Sequence, residues 1–159
     1  MEILSRLLIR RLASTFPFLM LILVWNCKPS EPYVYVCHDG LIDYEKVESL
    51  RHFQSIINPN DSLVTLVIRT DEDYKKYIVD RQEKIDFSNK TLLAGRIRTP
   101  MSGYIARQSV KSYCISGEIY FDVQYVVNKD GITVFSEVPF YAIIPKISEE
   151  TKVRFIIHP

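Results

Sequence analysis

The stretch EIYFDVQYVVN, residues 118–128, decides the fold class of this chain. Its apolar side chains stand at every second position from Ile119 to Val127, and the positions between them are mainly polar. Successive side chains of a β-strand point to opposite faces of a sheet. The alternation therefore predicts an antiparallel strand with one face in a core and the other towards water.

Outside this stretch, β-forming residues dominate several other segments. They predict strands at 63–69, 91–98, 104–116, 140–144 and 152–157, with a hairpin turn at 128–131. Proline cannot donate a hydrogen bond within a sheet, so Pro139 and Pro145 predict strand ends or an edge strand.

Two segments have helical signals. Apolar residues recur every three to four positions from Leu41 to Ile57, and Thr70 followed by three acidic residues is typical of a capped helix start. The predicted fold is therefore α+β: a mainly antiparallel β sheet or small sandwich with one or two short helices.

The overall charge argues against a nucleic-acid-binding protein. The 159 residues include 20 Lys and Arg against 19 Asp and Glu. A protein that binds a phosphate backbone needs a surplus of basic residues on one face. We therefore expect no nucleic-acid partner.

The N-terminus has the pattern of an export signal. Arg6, Arg10 and Arg11 precede an apolar run over residues 12–25. That run is shorter than the roughly 20 apolar residues of a bilayer span, and Pro17 interrupts it. We interpret residues 1–26 as a cleaved signal peptide.

Cys27 stands where the apolar run changes to the polar, proline-containing segment KPSEP. This position resembles the lipidated cysteine of bacterial lipoproteins; the alternative is an ordinary signal peptide with an incidental cysteine. We favour lipidation, with residues 27–32 as lipidated cysteine and tether and 33–159 as a single β-rich domain. The expected location is the bacterial cell envelope, with a membrane lipid anchor and the domain facing the periplasm or cell surface.

If Cys27 is lipidated, Cys37 and Cys114 remain as an even pair. A disulfide between them is one interpretation, because the envelope is oxidising. Two separately buried thiols are the other, because free cysteine is a common small core residue.

The sequence contains no motif of a familiar active site, phosphate loop or zinc site. Cys37, His38 and Asp39 have the residue types of a cysteine nucleophile site, but adjacent strand residues point to opposite faces. We therefore predict no catalytic residues, no metal site and no cofactor, and a protein that is not an enzyme.

Tyrosines give the one positive indication of binding. Tyr104, Tyr113 and Tyr120 lie on neighbouring predicted strands, and Tyr120 falls on the polar face of its strand. Exposed tyrosines on a rigid sheet can form a surface for a protein or sugar. The alternative is that they pack within the core or across strands.

Four segments resemble the PrcB C-terminal-like family of envelope lipoproteins. They are IDFSNKTLLAG (85–95), SGYI (102–105), PFYAIIPK (139–146) and VRF (153–155). The resemblance covers roughly residues 63–157, and Ser102 replaces a glycine that the family often has there. It implies an accessory, protein-binding role near a protease complex, without catalytic residues.

The expected function is thus that of a non-catalytic, membrane-anchored protein-binding or accessory module with an envelope protein partner. The alternative is an envelope lipoprotein that binds carbohydrate or another small ligand. A hydrolase of unfamiliar type would need His38 or His52 to meet carboxylates in a pocket.

Replacing the anchor cysteine tests the first of these expectations. In a Gram-negative host, the wild-type chain is expected to gain the mass of a lipid and to sediment with membranes. Cys27→Ser is expected to lose both properties, because the acyl chains have no other attachment point. Intact mass and membrane fractionation give the answer, and a soluble, cleaved, unlipidated wild-type product would contradict it.

Overall fold

The structure is a computed structural model that describes residues 35–47, 53, 57–79, 84–128 and 135–159. This part of the chain is a small β-rich domain with one short helix, as predicted. Its elements are β1 (Gly40–Ile42), β2 (Leu63–Ile68), α1 (Asp71–Tyr77), β3 (Lys90–Thr99), β4 (Gly103–Tyr113), β5 (Glu118–Val127), β6 (Ser136–Pro145) and β7 (Lys152–His158).

The strands form two sheets. One has four strands in the order β1-β4-β5-β7, and the other has three in the order β2-β3-β6. All neighbours are antiparallel except β5 and β7, which are parallel. The sheets are therefore mainly antiparallel, with one parallel pair that the sequence pattern did not predict.

The two sheets share one hydrophobic core. Phe121 of β5 meets Phe140 of β6 at 5.7 Å between ring centroids, and Phe155 of β7 packs on both rings. Val110 and Leu93 are fully buried in the same cluster. The inward positions of β5 thus lie where the alternation predicted them.

Strand β3 is buried on both of its faces. One face, with Leu93, belongs to the core between the sheets. The other face, with Leu92, packs in a second cluster that contains Tyr141 of β6, Tyr74 of α1 and Ile78, the residue that caps the helix. The helix itself begins as predicted, because the Thr70 hydroxyl accepts a hydrogen bond from the Asp73 N–H at 3.1 Å. Strand β3 therefore lies in the middle layer of three.

The predicted helix over 41–57 is wrong in the described residues. Residues 40–42 form β1, Ile42 is buried against β4, and Glu45 exchanges two backbone hydrogen bonds with Ile143 at 2.9 and 3.1 Å. Phe53 forms an isolated bridge with Ile78. The edges of both sheets supply backbone partners for this segment, which outweigh a weak helical periodicity.

Strand β6 bears out the interpretation of its prolines. It is the outermost named strand of the three-stranded sheet, and Pro145 is its last residue. Residues 136–145 form one strand, which begins before the predicted 140–144 and contains Pro139 within it.

Several predictions lie outside the described residues. These are the signal peptide (1–26), Cys27 with the tether (27–32), and residues 129–131 of the predicted hairpin turn. Within the described ranges, no helix has the length and apolar character to cross a membrane.

The Phe140 ring is expected to leave no room for a side chain at Gly95. A Cβ at Gly95 would lie 2.0 Å from the end of the Phe140 ring. Because this ring is buried between the sheets, Gly95→Ala is expected to lower the free energy of unfolding by about 1–3 kcal/mol. Urea denaturation followed by circular dichroism measures the change.

A double-mutant cycle identifies the cause. Phe140→Leu removes the ring atoms that the new Cβ would meet, so Gly95→Ala should be less harmful in that background. Strictly additive losses would show that the ring is not the obstacle.

Candidate binding face of the four-stranded sheet

The four-stranded sheet has one face in the core and one face towards solvent. We call the second the outer face. Its side chains alternate with the buried positions of β5 and β4, and they are exposed or half-buried. It includes Leu41, Tyr104, Lys111, Tyr113, Glu118, Tyr120, Asp122, Gln124, Val126, Arg154 and His158.

Two of the three tyrosines singled out in the sequence meet on this face. The rings of Tyr113 and Tyr120 are 5.0 Å apart and nearly perpendicular. Edge-to-face pairs of this kind hold both rings in a defined orientation. Tyr113 is exposed and Tyr120 is half-buried, so the pair presents aromatic surface to solvent.

The third tyrosine, Tyr104, is exposed on the same face but far from the pair. It pairs with Val126 near the opposite end of β4, about 30 Å from Tyr113 at the rise of a β-strand. A β-bulge between Ile105 and Arg107 changes the parity of β4, which brings Tyr104 and Tyr113 to one face. The three tyrosines therefore do not form a single cluster.

A carboxylate joins the tyrosine pair to β7. Arg154 Nη2 donates to one oxygen of Glu118 at 2.8 Å, and the Tyr120 hydroxyl donates to the other at 2.9 Å. The hydrogen bond from Arg154, and then that from Tyr120, holds the pKa of Glu118 below its usual range. The hydrogen bond that the Tyr120 hydroxyl donates to Glu118 raises the pKa of Tyr120. The sequence did not indicate this group, because Arg154 joins Glu118 and Tyr120 only through the β5–β7 pairing.

Strand β7 forms one border of the face. Among the named strands it pairs only with β5. His158 Nε2 lies 3.6 Å from Asp122 Oδ2 across that pair. His38, the other described histidine, is exposed near the opposite border, whereas His52 lies outside the described residues. The described histidines thus do not share a site.

The other border is closed covalently. Cys37 and Cys114, 77 residues apart in the sequence, form a disulfide. Beside it the Cys114 N–H donates to Asp39 Oδ1 at 2.6 Å, and the Tyr35 and Ser112 hydroxyls are 3.1 Å apart. These contacts fasten the first described segment to the end of β4.

The three-stranded sheet contains a buried polar group that the sequence did not indicate. Arg96 is buried, forms an ion pair with Glu137 and donates to the Asn58 carbonyl at 2.9 Å. In the described part of the chain its Nε, like the buried Tyr141 hydroxyl, has no hydrogen-bond partner. Burial raises the pKa of Tyr141. An arginine within a strand is normally expected at the surface, so no sequence signal pointed here.

An open groove of about 350 Å³ lies at the bulge of β4. Tyr44, Lys46, Arg107 and Gln108 line it together with Tyr141 and its neighbours in β6. Among the described residues, no carboxylate lines it. Within the described ranges no three His, Cys, Asp or Glu side chains are grouped so as to hold a metal ion.

No family model, curated protein or solved structure matches this chain. The resemblance to the PrcB C-terminal-like family therefore stays a prediction that rests on the four quoted segments.

The Glu118 hydrogen bonds predict an order of effects on one titration. Arg154→Gln is expected to raise the pKa of Glu118 more than Tyr120→Phe does, because the bond from Arg154 is the larger cause of the lowered value. Lys152→Gln is the matched control and should move it least, since Lys152 acts only through its charge. NMR titration of the carboxyl carbon measures all three.

The lowered pKa of Glu118 also determines how this residue makes the stability of the fold depend on pH. Glu118 contributes stability above its unfolded-state pKa and loses that contribution as the pH falls through the folded-state pKa. If Lys152→Gln shifted the pKa of Glu118 more than Arg154→Gln did, the hydrogen bond from Arg154 would not be the main cause of the lowered pKa.

Proposed function

We propose that this protein is a membrane-tethered accessory module of the bacterial cell envelope that binds another envelope protein through its outer face. In this proposal the domain contributes no catalytic residue. It orients or stabilises its partner while a lipid on Cys27 keeps it at the membrane. We further propose the finer fold description, an α+β small sandwich with β3 as its central strand.

The exposed aromatic surface carries the proposal. Tyr104 and the Tyr113–Tyr120 pair lie on a rigid sheet, beside the charged pair of Glu118 and Arg154. Protein interfaces are enriched in tyrosine and arginine, because both offer apolar area together with hydrogen-bond donors. The outer face has tyrosine near both of its ends and Arg154 beside the Tyr113–Tyr120 pair.

The border at β7 offers a second means of attachment. Its sequence, KVRFIIH, is rich in β-formers, and among the named strands only β5 pairs with it. An open strand edge can accept an extended segment of a partner by backbone hydrogen bonding. A partner could thus contact the edge and the neighbouring outer face together.

The disulfide supports an envelope location. Bonds such as Cys37–Cys114 form and persist in oxidising compartments and are rare in a reducing cytosol. The resemblance to the PrcB C-terminal-like family supports a protease complex as the kind of partner.

The alternative, binding of a carbohydrate by an envelope lipoprotein, is favoured by the Tyr113–Tyr120 pair. Aromatic rings beside a carboxylate and an arginine are also suited to sugar rings and hydroxyls. Glycan-array binding that is lost on Tyr120→Ala would favour it over a protein partner.

Site-specific photo-cross-linking in the intact envelope tests the protein-binding function. A photoreactive residue at Gln124, which is exposed at the middle of the outer face, is expected to form one discrete protein adduct. Combining it with Tyr104→Ser and Tyr120→Ser should reduce that adduct at least about tenfold, since hot-spot aromatics contribute ~2 kcal/mol or more.

The matched control places the same photoreactive residue at Thr65, which is exposed on β2 of the other sheet. It should give no such adduct. Equal adducts from both positions, or none from Gln124, would overturn the proposed function.

A further inference from the structure

Four apolar side chains project from the disulfide end of the domain. We call them the apolar tip. Their exposed fractions are 69% for Val36, 73% for Leu41, 48% for Tyr113 and 101% for Ile115. Single exposed apolar residues are ordinary, but a group of four at one end indicates a contact surface.

The fold holds these four residues together. The Cys37–Cys114 disulfide joins the residue after Val36 to the residue before Ile115. Leu41 lies opposite Lys111 in the β1–β4 pair, two positions along β4 from Tyr113. The tip is thus built on a covalent link and a hydrogen-bonded strand pair.

The tip lies where the chain comes from its N-terminal segment. The inference rests on the proposed function in one respect, the lipid on Cys27. Eight peptide units separate Cys27 from Tyr35, and they can span at most about 29 Å. The end of the domain that is nearest in sequence to the anchor therefore carries the four exposed apolar side chains of the tip.

We propose that the apolar tip inserts into the headgroup region of the bilayer that holds the lipidated Cys27. The β4–β5 hairpin then stands on the membrane. Tyr120 and Tyr104, the second about 30 Å from Tyr113 along β4, stay outside the bilayer on the outer face and remain available to a partner. The tyrosine ring of Tyr113 suits this boundary, because its apolar body and polar hydroxyl match the two sides of a membrane interface.

The charged residues around the tip do not favour an electrostatic attraction to the bilayer, so the contact depends on the apolar side chains. Lys111 and Lys152 are exposed at this end, but so are Asp39, Glu149 and Glu150. The signs largely cancel, so docking is expected to persist at about 1 M salt, where charges beyond roughly 3 Å are screened.

Quenching by brominated lipid tests the docking in the lipidated protein. Two proteins are compared, Ile115→Trp and Tyr104→Trp. Trp25, the one tryptophan of the sequence, is removed with the signal peptide, so the introduced indole is the only one. Both positions are exposed, so neither change disturbs the core. Each protein is purified from membranes and reconstituted into vesicles of phosphatidylethanolamine and phosphatidylglycerol with brominated acyl chains.

The indole at position 115 is expected to lose at least about half of its emission, and the indole at position 104 almost none. Vesicle flotation of the same samples reports the anchor separately. Flotation without quenching at position 115 would overturn the docking and leave the proposed tether intact.

Failure to float would overturn the tether and the docking together. A blue-shifted but unquenched indole at position 115 would show that protein covers the tip, either a second copy or a partner, and would also overturn the proposal. Equal quenching at both positions would mean that the whole outer face lies on the bilayer, which contradicts the upright orientation.

Discussion

The architecture depends on one contact, the packing of the Phe140 ring over Gly95. This contact lies in the hydrophobic core between the two sheets. With no side chain at Gly95, the ring can lie against the β3 backbone and still meet Phe121 of β5. Strand β3 is buried on its other face as well, against the helix side. Strand β3 is therefore covered on both faces, whereas one face of the four-stranded sheet is exposed or half-buried.

The disulfide gives that exposed sheet a fixed border. Strand β1 has three residues, too few to hold the first described segment by hydrogen bonds alone. The Cys37–Cys114 bond adds a covalent link across 77 residues, and a link of that span stabilises a domain by about 2–4 kcal/mol, mainly by restricting the unfolded chain.

Polar contacts then order the outer face. Glu118 accepts hydrogen bonds from Arg154 and Tyr120, so three residues of two strands hold one another in place. Tyr120 in turn orients Tyr113 through their edge-to-face contact. A surface ordered in advance loses less side-chain entropy when a partner binds. The bulge in β4 extends this face by bringing Tyr104 to the same side.

Local patterns in the sequence determined the strands and the helix start, because the alternation at 118–128 and the Thr70 cap depend on residues close along the chain. The same patterns indicated the candidate tyrosines and the two cysteines. Only the tertiary structure decided how these elements meet. It set the parallel β5–β7 pair, the burial of Arg96 and the bulge that brings Tyr104 to the same face as Tyr113. In the described residues of the predicted helix at 41–57 it showed β1 and an edge bridge instead, because distant strands supplied hydrogen bonds that no local periodicity reveals.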